Sequence, residues 1–443
     1  MMLEEWLPLL MFPVLLTFLL LGFPVAFTLG GTALMFGLIG HFLDLFYLTD
    51  FGFIPMRVFG IVGNFTLVAV PLFVFMGLVL EKTGIAEELL RTVNELFHRQ
   101  RGSLAVAVVL VGALLAASTG IVGATVVTMG VLSLPTMLNR GYQKELSCGT
   151  IAAAGTLGQI IPPSIVLVLL GDMMNVDVGN LFVGALLPGL MLVGAYLVYL
   201  QIRLRFNPGL APDGGGGVDP NGRLRQLALT LLPPIILMTL VLGSILLGLA
   251  SPTEAAAFGA FFALIIALLK KSLSRRVLQN VCMDTAKITS MVFVILIGAQ
   301  FFGVVFRGLA GDDVIGSLIA DLEEHRSFIL LGLMVLLFVL GFFLDFLEIC
   351  FIVIPIILPH MVQLGYDPLW LAVLIAVNLQ TSFLTPPFGF ALFYLKGVSP
   401  PGVSTMTIYR GVIPFVIIQL ASLGVLAMYP QLVQWLPGVV FGR

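Results

Sequence analysis

Two carboxylates stand one helical turn apart in a stretch that carries no positive charge. Asp345 and Glu348 fall in "GFFLDFLEICFIVIPIILP", residues 341–359. A carboxylate buried in so apolar a run is costly and marks a functional position by default. Asp345 is read as a cation ligand and Glu348 as a second cation or proton ligand. The bland readings are a capped helix end for Asp345 and a solvent-facing side chain for Glu348. Two double prolines supply the other unusual chemistry, in "IIPPSIVL" (160–167) and in "NLQTSFLTPPFG" (378–389). Proline removes a backbone donor and clashes with the preceding turn, so neither apolar run continues as one helix. Such a break frees carbonyls that bind a cation and a helix N-terminus that favours an anion. Asn378, Gln380, Thr381 and Ser382 precede the second break, and polar groups of this kind face protein or a cavity because unpaired amides are expensive in lipid. Ser118, Thr119, Gly120, Gly123 and Thr125 form a small, polar patch inside a third apolar run, suited to cation binding or to close helix packing.

Other chemistries are poorly served. Cys148, Cys282 and Cys350 lie far apart in or beside apolar runs, and read as structural thiols. The four histidines have no metal-type spacing, and no lysine follows a glycine, so a phosphate-cradling ATP loop is missing. Ser118 or Ser164 as the nucleophile of an intramembrane hydrolase would lack a histidine base within a nearby span. A formal net charge of −2 implies no nucleic-acid surface.

The elements that must position these residues follow from composition. The chain has 443 residues, 59% of them hydrophobic and only 10% charged. An all-α polytopic membrane protein is the class that fits. The acidic N-terminal flank and the missing cleavage pattern read as a retained first span rather than a secretory signal. Ten spans are expected, at about 7–22, 24–40, 63–81, 146–170, 181–203, 226–250, 252–270, 288–306, 369–395 and 410–437. Basic clusters at Arg91–Arg101, Arg140–Lys144, Arg203–Arg225 and Lys270–Arg276 are placed in the cytoplasm, and the acidic loops 171–180 and 311–326 outside. Both flanks of segment 103–138 are basic, so it must enter and return as a re-entrant hairpin with its tip near Ser118–Gly120. Segment 328–364 behaves alike from the other side, its tip near Gly341–Asp345. Residues 84–100 are expected to form an interfacial helix with Ile85, Leu89, Val93, Leu96 and Phe97 on one face. Ser251-Pro252-Thr253-Glu254 reads as a capping box, which takes Glu254 out of the list of transport carboxylates.

The chain also repeats itself. Pro162 and Pro386 are 224 positions apart, and the same offset pairs Pro135 with Pro359, Gly141 with Gly365, Tyr142 with Tyr366 and Gly84 with Gly308. "LPTMLNRGY" thus aligns on "LPHMVQLGY" without a gap. Pro24 and Gly31 pair with Pro252 and Gly259 at an offset of 228. The expected organisation is a first repeat over 1–211, a Gly-rich linker over 212–225 and a second repeat over 226–443. The first holds a hairpin at about 103–138 and a broken helix at 146–170; the second holds a hairpin at about 328–364 and a broken helix at 369–395. Flanking charges of opposite sign make the two repeats inverted in the membrane, the usual build of secondary transporters.

The motifs "VPLFVFMGLVLEKTG" (70–84), "ASTGIVGATVVTMG" (117–130), "GTLGQIIPPS" (155–164), "ASPTEAAAFGA" (250–260), 341–359 and 378–389 resemble the large, DctM-like membrane subunit of the tripartite ATP-independent periplasmic (TRAP) transporters. The resemblance spans most of the chain in the family's order. It implies an elevator-type, sodium-coupled importer of an organic acid anion in the bacterial inner membrane. It further implies a small four-helix membrane subunit and a periplasmic substrate-binding protein as partners. On that resemblance one Na+ site involves Thr119 and Gly120 with Gly158, Ile161 and Pro163, largely through backbone carbonyls. The other involves Gly341 and Asp345 with Ser382 and Thr385. Substrate would lie near Ser118, Thr125, Ser164, Asn378, Gln380 and Thr381. The family's first tip is often Ser-Gly-Ser, whereas Ile121 stands here, so the first site relies on backbone. A self-sufficient sodium/carboxylate carrier of the same architecture is the alternative reading.

Overall fold

The structure is a computed structural model, and it describes residues 3–96, 101–119, 122–212, 220–320 and 323–442. Those residues form helices and connections only, as the composition requires. In chain order the α-helices are α1 (Leu3–Leu20), α2 (Val25–Phe42), α3 (Ile54–Val62), α4 (Ala69–Lys82), α5 (Ile85–Leu96), α6 (Ser103–Thr119) and α7 (Val122–Asn139). Then come α8 (Lys144–Thr156), α9 (Ile165–Met173), α10 (Val178–Phe206), α11 (Pro220–Leu246), α12 (Pro252–Leu269), α13 (Arg275–Gly308) and α14 (Gly311–Ala320). The last are α15 (Arg326–Leu340), α16 (Phe346–Glu348), α17 (Ile354–Gln363), α18 (Pro368–Leu384), α19 (Phe390–Val398), α20 (Thr405–Met428) and α21 (Gln431–Phe441).

Among the described residues, seven helices are long and apolar enough to span a membrane, or eight if one bent pair counts as a span. Fewer qualify than the ten expected spans because several of those are shorter pieces. The runs 146–170 and 369–395 are divided at their prolines. The run read as 410–437 is two helices, α20 and α21, parted at Tyr429-Pro430. The run read as 63–81 belongs to a pair, Leu48–Val62 and Thr66–Lys82, bent by 57°. The run read as 288–306 starts thirteen residues earlier, at Arg275. Its first turns are polar, so apolarity alone misses them, while Ser274 caps them through the Val277 amide.

Packing sorts the helices into two groups that cut across the sequence halves. One is a frame: α13 lies along α2 and α4, α12 along α4 and α11, and α1 on α2. The other is a core: α8 packs on α6, α7 and α20, and α18 packs on α10, α15 and α20, with α19 against α7. Between apolar helices in lipid there is no hydrophobic drive, so close backbone approach must supply the attraction. Gly149 on α8 and Gly411 on α20 permit it. A Cβ on Gly149 would lie 2.0 Å from the Gly411 carbonyl oxygen, and one on Gly411 would lie 2.2 Å from that of Glu145. Large exposed side chains such as Phe42, Met56 and Leu269 are what a lipid-facing surface requires.

The repeated "GY" motif has a structural job. At the end of α7, Gly141 has φ +84° and at the end of α17 Gly365 has φ +85°. Each opens the left-handed cap that lets the next tyrosine amide reach back five residues, Tyr142 to Met137 and Tyr366 to Met361, both at 3.1 Å. Each tyrosine hydroxyl then ties off the start of the preceding helix pair. Tyr142 Oη accepts from the Leu104 amide at 3.1 Å, and Tyr366 Oη donates to the Arg326 carbonyl at 2.9 Å.

The capping box expected at Ser251 is present, with Glu254 Oε2 accepting from the Ser251 amide at 2.8 Å. Helix α5 occupies the expected interfacial segment; Leu89 and Val93 are buried, Leu90 joins them, and Phe97 lies outside the described residues. It packs between α6 of the core and α11 and α4 of the frame. The three cysteines are free, Cys148 and Cys350 buried and Cys282 exposed.

Candidate functional site

Helices α6 and α7 are the arms of the first helix pair. Ser118 and Thr119 are the last residues of α6, α7 opens at Val122, and Gly120 lies outside the described residues. Both arms pack on α8 and on the short 3-10 turn Leu157–Gln159 that ends it. Gly158 is therefore brought to this helix pair, and Thr125 is buried on α7.

The local sequence dictates the break. Pro162 and Pro163 have no N–H, so the carbonyls of Gly158 and Gln159, four residues earlier, lose their helical donors. Ser164 compensates one of them: its buried Oγ donates to the Gln159 carbonyl at 2.9 Å. Ile161 and Pro163 sit in the connecting loop, buried, and α9 begins after Ser164. Gln159, which the sequence reading passes over, is fully buried beside the break. Its signal is an amide three residues before two prolines.

The second break follows the same logic. Pro386 and Pro387 deprive the carbonyls of Ser382 and Phe383 of donors. The Thr385 amide returns to the Ser382 carbonyl at 3.0 Å. The hydroxyls turn inward on their own helix: Thr381 to Val377 at 2.7 Å, Ser382 to Leu379 at 2.8 Å and Thr385 to Thr381 at 2.7 Å. This satisfies them without a neighbour and loosens the helix just before it stops. Asn378 donates to the Met334 carbonyl of α15 at 2.8 Å and so pins the broken helix to the second helix pair. Gln380 is fully buried nearby. Both Pro-Pro bonds are cis.

The second tip, between α15 and α16, meets this break directly. A Cβ on Gly341 would fall 2.1 Å from Ser382 Oγ, so only glycine fits there. Phe343 lies against Phe388 with ring centroids 5.5 Å apart. Asp345 is the N-cap of α16: Oδ1 accepts from the Phe346 amide at 2.7 Å, while Glu348 Oε2 accepts from the Asp345 amide at 3.1 Å. The two intramembrane carboxylates thus form a capping box, a Glu348 role that sequence reading missed although Asp-x-x-Glu spells it. Glu348 is 7% exposed and does not face solvent. A π segment, Ile349–Val353, follows at once.

Each helix pair also meets the broken helix of the other half. Gly123, just past the first tip, lies against the ring of Tyr394 on α19, which an added Cβ would approach to a tight 3.0 Å. Helix α9, beyond the first break, packs on α16 and the π segment of the second tip. Each break therefore serves both helix pairs. The oxygens collected are mostly backbone carbonyls and hydroxyls. No group of three or more His, Cys, Asp or Glu gathers anywhere among the described residues. Neutral oxygen sets of this kind suit a hard, weakly hydrated alkali cation better than a transition metal. Ser164 spends its proton on a carbonyl rather than on a base, which leaves it unsuited as a nucleophile.

Fold and site together define a polytopic, all-helical membrane permease built from paired hairpin-like arms and proline-broken helices. The profile of the tripartite ATP-independent periplasmic transporter, DctM component, matches residues 12–432, and the chain belongs to that family. It is a multi-pass protein of the bacterial inner membrane and a transporter component rather than an enzyme. Among its relatives, the sialic acid TRAP transporter large permease protein SiaM of Vibrio cholerae is 28% identical over 95% of this chain and 96% of its own length. The C4-dicarboxylate TRAP transporter large permease protein DctM of Pseudomonas aeruginosa is 29% identical over 87% of this chain and 89% of its own. The isethionate TRAP transporter permease protein DctMQ of Oleidesulfovibrio alaskensis is 30% identical over 95% of this chain, which spans 65% of that longer protein. The solved YdaH transporter of Alcanivorax borkumensis has the same fold, with a TM-score of 0.61 at 16% identity over 86% of this chain and 87% of that one.

Proposed function

We propose that this chain carries a small organic acid anion into the cell, coupled to sodium, as the large subunit of a tripartite system. The supporting observation is the meeting of Gly341 with Ser382 and of the first helix pair with Gly158, two tip-to-break junctions inside one packing group. The named substrates of the relatives, isethionate, sialic acid and C4-dicarboxylates, are all organic acids. A periplasmic binding protein delivers the anion, and a small four-helix membrane subunit flanks the frame. Residues 1–211 and 226–443 are repeats inserted in opposite directions. Their matching Gly-Tyr caps and double-proline breaks support that reading.

Sodium is a substrate here, taken up with the anion. One ion is held by Thr119 and Gly120 together with Gly158, Ile161 and Pro163; the other by Gly341, Asp345, Ser382 and Thr385. Carbonyls that have lost their regular helical donors to the prolines are ready ligands, because each keeps lone-pair capacity for an ion. Ser118, Thr125, Ser164, Asn378, Gln380 and Thr381 border the anion. The core group, carrying both junctions, slides against the frame as one body.

The test is uptake into proteoliposomes that hold this chain with the small subunit, given the binding protein and a panel of organic acids. Uptake that rises with an inward sodium gradient supports the proposal. A rate indifferent to sodium overturns the coupling, and full uptake without the binding protein replaces the tripartite reading with a self-sufficient carrier.

A further inference from the structure

Helix α4 is the frame element nearest to the core, and it touches the core through side-chain hydrogen bonds at both of its ends. Before its first turn, Asn64 Nδ2 donates to Asp172 Oδ1 on α9 at 2.7 Å. In its last turn, Glu81 Oε1 accepts from Thr128 Oγ1 on α7 at 2.9 Å. The helix between them, Thr66–Lys82, is roughly 25 Å long at 1.5 Å per residue. The frame thus holds α9, beyond the first break, and α7, a helix-pair arm, at two well-separated points.

Neighbouring contacts show that these two bonds are different in kind. Lys82, next to Glu81, is ion-paired with Asp284 on α13 and joins frame to frame. Thr253 Oγ1 donates to the Phe65 carbonyl at 3.0 Å, again within the frame. Asn378 to Met334, and Gln419 Nε2 to Tyr196 Oη at 2.7 Å, join core to core. Of these six contacts, those at Asn64 and Glu81 alone have partners in different groups. Each has a carboxylate acceptor, which makes it stronger than a bond between neutral groups. Glu81 Oε2 is buried with no hydrogen-bond partner among the described residues, so Thr128 is the donor this carboxylate depends on.

We propose that Asn64–Asp172 and Glu81–Thr128 form a two-point latch. It holds the core in the position seen here and sets how often the resting protein occupies that position. The proposal rests on the reading that the core moves as a body. A displacement of one helical turn, about 5.4 Å, takes both pairs out of reach together, so the latch opens as a unit. The four residues are positioning residues: they touch neither proposed sodium junction.

The test uses the full chain in lipid nanodiscs, with Cys282→Ser and spin labels at Phe258 on the frame and Val198 on the core, both exposed. Pulsed dipolar spectroscopy reads the frame-to-core distance with and without sodium. Thr128→Val removes one donor. Asn64→Asp keeps the acceptor for the Thr66 amide, now at 2.9 Å, but sets a like charge against Asp172. Each variant is expected to lower the ratio of this arrangement to the displaced one by roughly three- to tenfold. Thr128→Ser, which keeps the hydroxyl, is expected to retain the parent distribution, and Thr128→Ala serves where the valine variant does not insert. Two distance populations that ignore all of these changes would overturn the latch and leave the moving body standing. A single distance under every condition would overturn the moving body and the latch with it.

Discussion

Asp345 caps α16 through the Phe346 amide, and in the proposed sodium site it is also a ligand. The two roles separate on substitution, because asparagine caps a helix about as well as aspartate but carries no charge. Asp345→Asn is expected to unfold at a temperature close to that of the parent, yet to need about tenfold more sodium for half-maximal uptake, a loss of ~1.4 kcal/mol for a charged ligand. Asp345→Ala should lose the cap as well, about 1 kcal/mol of stability. Sodium titration of uptake beside thermal unfolding checks both; an unchanged sodium requirement in the asparagine variant would make Asp345 a cap alone. Gly341 tests the junction itself. Gly341→Ala places a Cβ 2.1 Å from Ser382 Oγ, an overpacking expected to cost about 1–3 kcal/mol. Adding Ser382→Gly removes the obstructing side chain and should recover much of that loss in the unfolding temperature, which a clash located elsewhere would not.

At the scale of elements, the tyrosine ties predict local opening. Tyr142 Oη accepts from the Leu104 amide, one of the donors at the start of α6 that has no partner within its own helix. Tyr142→Phe is expected to speed exchange of that amide and its neighbours by about fivefold, following the loss of roughly 1 kcal/mol. The base of α15 should keep its protection, since Tyr366 ties it independently. Peptide-resolved hydrogen exchange reads this, and equal change at both bases would argue against separate ties. Elements of this sort were legible because their cause is local: a double proline removes two amides, and Gly-Tyr after an apolar run ends a helix in one way. The capping box at Asp345 was equally local, but the apolar run around it drew attention to the charge rather than to the spacing. The bend between Val62 and Thr66 was hidden because apolar residues lie on both sides and no proline marks it. Asn64 with Asp172, 108 positions apart, and Glu81 with Thr128 were out of reach, because tertiary packing alone selects such partners.

At the scale of the molecule, the sequence halves and the packing groups are different divisions, and the proposed transport movement follows the second. Each half contributes three spans to the frame and, to the core, an arm pair, a broken helix and one further long helix, α10 or α20. Neighbouring residues on α4 therefore face different fates when fixed. Lys82 pairs with Asp284 inside the frame, and Glu81 pairs with Thr128 across the divide. With Cys282 replaced, a cross-link between Lys82→Cys and Asp284→Cys is expected to leave sodium-driven uptake within about twofold of the uncrosslinked protein, since it joins parts that keep their spacing. The cross-link between Glu81→Cys and Thr128→Cys should arrest uptake at least tenfold, with reduction restoring it, because a covalent bond far exceeds the few kcal/mol separating two conformations of one protein. Uptake by the reconstituted system before and after oxidation measures both. Arrest by the first cross-link would show that α4 and α13 shift against each other and that the frame is not a single body. Continued uptake with the second would mean that α7 travels with α4, and the moving part would have to be sought among α15 to α20.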